Sequence, residues 1–265
     1  MTRSDLPARD PHTLPDTIPE PGPIALSDLS DALTLGWRDF RRAPAFGLLF
    51  SAFYVLGGWA LASVAFASGQ DWWLIPFILG FPLIAPFAAV GLYEVSRRIE
   101  AGEALDTARI LRVVFEQRQR QIPSMAMVIL LMFMFWVFVA HTVFALFMGV
   151  SALTNITSSP EVLFQGRGLV MLFLGTVIGG GFAAVLFSFT VVGLPLLMER
   201  EVDFITAIIT SCRAVAENPG TMAVWAALIA IWLFLGILPG FLGLLVVMPV
   251  LGHASWHVYR RVMAD

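Results

Sequence analysis

The sequence contains no lysine; all sixteen basic residues are arginine. It contains one cysteine, Cys212, which excludes an intrachain disulfide and any multi-cysteine metal or iron–sulfur site. Its histidines number four, His12, His141, His253 and His257, too few for the metals of an oxidase core plus its haems. Charged residues make up 13% of the chain, where a soluble domain carries about 25%. The motifs GxSxG and HExxH, a phosphate-binding glycine loop and paired intramembrane aspartates are all missing, so no catalytic constellation is expected. No metal and no cofactor are expected either.

What remains is apolar. Hydrophobic residues make up 58% of the 265, and the mean hydropathy is +0.82. That composition excludes a soluble enzyme and a disordered regulator, and it points to a polytopic membrane protein. A net charge of −3 and a pI of about 5.8 give no reason to expect nucleic acid as a partner.

The first 26 residues hold Pro7, Pro11, Pro15, Pro19, Pro21 and Pro23 among Asp5, Asp10, Asp16 and Glu20, with no apolar run after Arg3. This reads as a disordered tail and not as a signal peptide. Residues 27–265 read as one membrane domain.

A membrane span needs roughly 20 mostly apolar residues. Six stretches qualify: about 44–67, 72–95, 123–150, 168–198, 219–237 and 240–258. The second is expected to be broken by Pro76, Pro82 and Pro86, and the fourth to kink near Pro195. With six spans, fifteen arginines fall on one side and only Arg167 on the other. By the positive-inside rule, both termini are cytoplasmic. The opposite side holds a short turn near Ser68–Asp71 and a loop over about 151–167, in which Asn155 begins a glycosylation sequon.

The chain repeats itself. An amphipathic segment ending at a proline precedes each outward span, at Pro44, Pro123 and Pro219. At an offset of 175, Asp28 matches Asp203, Ala32 matches Ala207, Arg38 matches Arg213 and Pro44 matches Pro219. The expected fold is therefore all-α: six transmembrane helices as three hairpins, each preceded by a cytoplasmic amphipathic helix. The repeat units run about 28–98, 105–200 and 201–261. Two spans per unit make the repeats parallel.

Few residues suggest chemistry. His253 and His257 stand one helical turn apart, flanked by Trp256 and Tyr259. The spacing suits a metal pair or a proton relay, although Trp, Tyr and His at a membrane boundary commonly act as anchors. Counting ~1.5 Å per residue from the cytoplasmic edge puts His141 about 27 Å in and His253 about 10 Å in. They cannot share a metal or a haem. Glu94 is the carboxylate nearest a span, with Arg97 and Arg98 one turn on as natural partners. Gly175 and Gly179 form one GxxxG pair and Gly236 and Gly240 another, a spacing that lets helices approach closely.

The stretch VVGLPLLMER (191–200), with Ala207, Ser211, Asn218–Pro219 and Trp225, resembles the second half of bacterial inner-membrane proteins grouped as domain of unknown function 2189. The ending MPVLGHASWHVYRR (248–261) is the most specific part, and the resemblance runs from about residue 30 to the C-terminus. It implies a bacterial inner-membrane location, six helices and no established activity. The expected function is a non-enzymatic accessory or scaffold protein of a membrane complex, respiratory or of the envelope. The alternative is a small transporter, channel or lipid-handling protein. The expected partners are the lipid bilayer and another membrane complex or a second copy.

Overall fold

The structure is a computed structural model that describes residues 19–68, 74–148 and 164–264. Residues 1–18 of the proline-rich tail, residues 69–73 of the expected first turn and the Asn155 sequon lie outside the described residues. Ten α-helices and no strand occur among the described residues. They are α1 (Leu26–Arg42), α2 (Pro44–Ser68), α3 (Leu74–Ala101), α4 (Thr107–Glu116) and α5 (Ile122–Met148). There follow α6 (Arg167–Thr190), α7 (Gly193–Glu199), α8 (Phe204–Glu217), α9 (Pro219–Ile237) and α10 (Leu244–Val262).

Proline and short polar side chains set the boundaries. Pro44 and Pro219 each open a helix, at the position where the missing N–H would have no partner anyway. The residues before them share one backbone conformation, Ala43 at φ −133°, ψ 51° and Asn218 at φ −126°, ψ 47°. Asp106 and Asp203 cap α4 and α8, accepting from the N–H groups of Arg109 (2.8 Å) and Thr206 (2.9 Å).

The prolines inside helices have two outcomes. The expected break at Pro76, Pro82 and Pro86 does not occur: α3 runs unbroken through all three. Pro76 lies in its first turn, where no intrahelical donor is lost, and membrane-spanning helices tolerate proline further in. Near Pro195 the helix does break, between α6 and α7. Pro195 has no N–H to offer the carbonyl of Val191, and the freed N–H of Val192 donates instead to Ser211 Oγ of α8, at 3.1 Å. Pro249 likewise leaves the Leu245 carbonyl of α10 without a donor one turn on. The Ser51 hydroxyl of α2 lies 3.4 Å from that oxygen.

Among the described residues, three helical stretches are long and apolar enough to cross a membrane: Ile122–Phe147, Arg167–Glu199 and Pro219–Ile237. A fourth arises if Leu26–Arg42 and Pro44–Ala60, bent by 98°, count as one.

The core sits at one end of the bundle. Trp225, Trp256, Tyr259, Leu196, Leu197, Met125 and Met222 are fully buried there, with Ala32 of α1 and Ala207 and Ala214 of α8. Away from it, α5, α6 and α9 turn large apolar side chains outward, among them Phe138, Leu146, Phe173 and Phe234. Each would forgo about 1.5–3 kcal/mol if left in water. Their natural surroundings are hydrocarbon.

Candidate functional site

The buried polar groups gather where α1, α3 and α10 meet. Helix α1 buries Leu29, Ala32, Gly36, Asp39 and Phe40, a stripe at helical spacing. Gly36 lets the two backbones touch: a Cβ there would lie 2.7 Å from both the Ala254 nitrogen and the Val250 oxygen of α10. That close approach carries Asp39, fully buried, onto α10.

His257 Nε2 donates to Asp39 Oδ2 at 2.7 Å, and Arg38 reaches Asp39 Oδ1 at 3.2 Å. The Ser96 hydroxyl of α3 lies 2.8 Å from His253 Nδ1. The His253 Nε2 is buried and has no hydrogen-bond partner among the described residues. Burial works against the charge on Asp39. The His257 hydrogen bond and charge, with the Ser96 hydroxyl, outweigh it and hold the carboxyl below the usual carboxylate range.

Trp256 and Tyr259 lie in the core and not at a lipid boundary, both almost completely buried. The Trp256 indole donates to Glu100 at 3.1 Å and the Tyr259 hydroxyl to Glu199. Glu94, also buried, accepts from Arg97 at 2.8 Å and Arg98 at 2.6 Å, the pairing its spacing suggests. Arg97 also reaches Glu103 and holds that carboxyl below its ordinary range.

His141 stands apart, exposed, with Nδ1 bonded to the Val137 carbonyl of its own helix at 2.7 Å. The four glycines have four settings. A Cβ at Gly175 would meet nothing within 4 Å, whereas one at Gly179 would lie 2.8 Å from the Trp136 ring of α5. Gly236 lies against Gly243 across the tight turn into α10. Gly240 has φ +63° in that turn, a conformation glycine adopts without strain.

The ion pairs join the arginine-bearing segments to one another. Arg213 meets Glu20 at 3.2 Å, and Arg261 meets Asp28 at 2.5 Å and Asp31 at 3.2 Å. Arg260 bridges Glu100 (3.2 Å) and Glu199 (3.1 Å). Arg120 donates to the Arg200 carbonyl at 2.9 Å. Segments 20–42, 94–120, 199–217 and 260–261 therefore share one end of the bundle.

Asp39, Ser96, Glu100 and Glu199 belong to these networks, yet the sequence does not single them out. The available clue was an aspartate on the apolar stripe of α1. Among the described residues no group of three or more His, Cys, Asp or Glu is placed to hold a metal ion.

Residues 74–199 match the family model described as predicted integral membrane protein (DUF2189). This segment is similar to that family. It runs from the first residue of α3 to the last of α7. The match is shorter than the resemblance read from about residue 30 to the C-terminus, and it stops before 248–261. Glu94, Ser96 and Glu199 thus lie in the matched segment, and Asp39, His253 and His257 come from the helices flanking it. No curated protein and no solved structure matches the chain.

Proposed function

We propose that this integral membrane protein is a non-enzymatic accessory or scaffold component of a membrane complex, respiratory or of the envelope. The carrying observation is how its polar groups are used. Asp39, Glu94, Glu100, Glu199, His257 and Tyr259 are all engaged in ties between helices or along one helix end. Meanwhile α5, α6 and α9 present broad apolar faces. Such a molecule is a rigid membrane body with lateral surface to offer.

The same reading places six spans in three hairpins, in a bacterial inner membrane, with both termini cytoplasmic. The meeting of the arginine-bearing segments at one end supports it. The shared backbone conformation at Ala43 and Asn218 supports the repeat. The exposed apolar residues Leu26 and Trp37 on α1, Phe115 on α4, and Ile205 and Ile209 on α8 support amphipathic helices lying at the membrane surface.

Purification from the native membrane in mild detergent, with mass spectrometry of what accompanies the protein, tests the role. A stoichiometric membrane-protein partner is expected; a stable, partner-free protein at native expression overturns it. Labelling of single cysteines placed at residues 40–43 and 235–242 in sealed vesicles tests the topology, with opposite accessibility expected.

One observation favours a second reading, lipid handling. A groove of about 460 Å³ opens between α5 and α6, lined by Trp136, Ala140, Phe144, Met171, Gly175 and Gly179. Its apolar lining suits an acyl chain. A defined lipid retained through delipidating washes would move the weight to this reading.

A further inference from the structure

Four arginines lie on α1 and α4, the helices that meet the buried cluster at the elbow between α1 and α2, and none forms an ion pair among the described residues. Arg41 and Arg42 close α1, and Arg109 and Arg112 lie on α4; all four are exposed. A small buried cluster draws the two helices together: Ala43 and Phe46 at the elbow, Val95 of α3 and Ile110 of α4. The neighbouring acids are already engaged. Glu94 and Glu103 serve Arg97 and Arg98, Asp39 serves His257 and Arg38, and Asp106 caps α4. Glu116 is the one free carboxylate on α4 among the described residues, exposed and in no ion pair. Four guanidiniums against the two unpaired carboxylates Asp106 and Glu116 leave the patch cationic.

Its position names its occupant. Pro44 begins the first expected span directly after Arg42 and Ala43. Trp37 is half-exposed on the same helix as Arg41, and Phe115 is 55% exposed on the helix of Arg112, with the Arg118 guanidinium 5.2 Å from its ring centre. Aromatic rings mixed with arginine at the start of a span match the headgroup layer.

We propose that Arg41, Arg42, Arg109 and Arg112 form a binding surface for the phosphates of anionic lipid headgroups at the α1–α2 elbow. The inference rests on the reading that α1 and α4 lie at the membrane surface. Each guanidinium offers a planar pair of donors to a phosphate, and none has to break an existing ion pair to do so.

The test uses the full chain in mild detergent, offered equal amounts of phosphatidylglycerol and phosphatidylcholine, with retained lipid counted by native mass spectrometry. Preferential retention of phosphatidylglycerol is expected. Replacing all four with glutamine (R41Q, R42Q, R109Q, R112Q) should lower that preference by about tenfold or more. The pairs R41Q/R42Q and R109Q/R112Q should each lower it in part, which keeps the test available should the fourfold variant not fold. Equal retention of the two lipids, or an unchanged preference in the folded variants, overturns the proposal. So does capture of a soluble acidic protein through these arginines in place of lipid. Quenching of Trp37 fluorescence by brominated acyl chains, read against Trp37→Phe, separates the two levels. Quenching without headgroup preference overturns the lipid site alone; no quenching overturns the surface placement of α1.

Discussion

The Nε2 of His257 lies 2.7 Å from Oδ2 of Asp39, across a seam where α1 and α10 touch backbone to backbone. Both side chains are buried, and His257→Ala leaves the Asp39 carboxylate with the Arg38 guanidinium at 3.2 Å as its charged partner. That variant should destabilise the protein by about 1–3 kcal/mol. Asp39→Asn, of the same size, should cost less. Thermal unfolding in detergent gives the ranking, and a His257→Ala variant as stable as the parent would deny the tie any structural role.

The same pair gives α1 an acid limit. The Asp39 carboxyl is held below its ordinary range by His257 and Ser96. A carboxylate whose folded pKa is depressed contributes stability that is complete above its unfolded value and is lost as pH falls through the folded one. The seating of α1 should therefore survive until the pH drops below the ordinary carboxylate range. In Asp39→Asn that acid-side loss should shrink. Protease sensitivity of residues 26–42 across an acid titration reads it out directly.

Gly36 and Gly175 make a matched contrast. A Cβ at Gly36 meets two backbone atoms at 2.7 Å, which cannot swing aside, whereas one at Gly175 meets nothing. Gly36→Ala should cost about 1–3 kcal/mol as an overpacking change. Gly175→Ala should be neutral or slightly stabilising, because alanine is the better helix former. Melting temperatures of the two variants side by side check the contrast.

Asn218 fastens the segment before α1. Its Oδ1 accepts from the Ile24 N–H at 2.8 Å, and its Nδ2 donates to the Gly22 carbonyl at 3.1 Å. Asn218→Ala orphans these groups at a cost of about 1–3 kcal/mol. Hydrogen exchange over residues 19–25 should accelerate while α9 stays protected. Equal acceleration in both would mean a global effect instead.

How much of this was legible in the sequence depends on the reach of each interaction. Pro44 and Pro219 mark helix starts because a missing N–H is a local fact. The pairing of Glu94 with Arg97 and Arg98 was legible because residues three and four apart on a helix are neighbours. The arginine count anticipated that four distant segments would share one end. The Asp39–His257 pair was not legible, because it depends on which face of α1 meets α10. Trp256 and Tyr259 suggested anchors for the same reason: membrane-boundary and core aromatics have identical composition, and only the presence of Glu100 and Glu199 opposite tells them apart.

The partnership of α1 with α10 also has a consequence for biogenesis. Asp39 and His257 are 218 residues apart, so at ordinary synthesis rates about 10–40 s separate the appearance of one from that of the other. For that interval α1 has a buried-type aspartate and a bare glycine with nothing to receive them. Closure of the molecule therefore waits for its last helix. A ribosome stalled before residue 244 should hold a chain whose front end is still open to protease, chaperone or insertase.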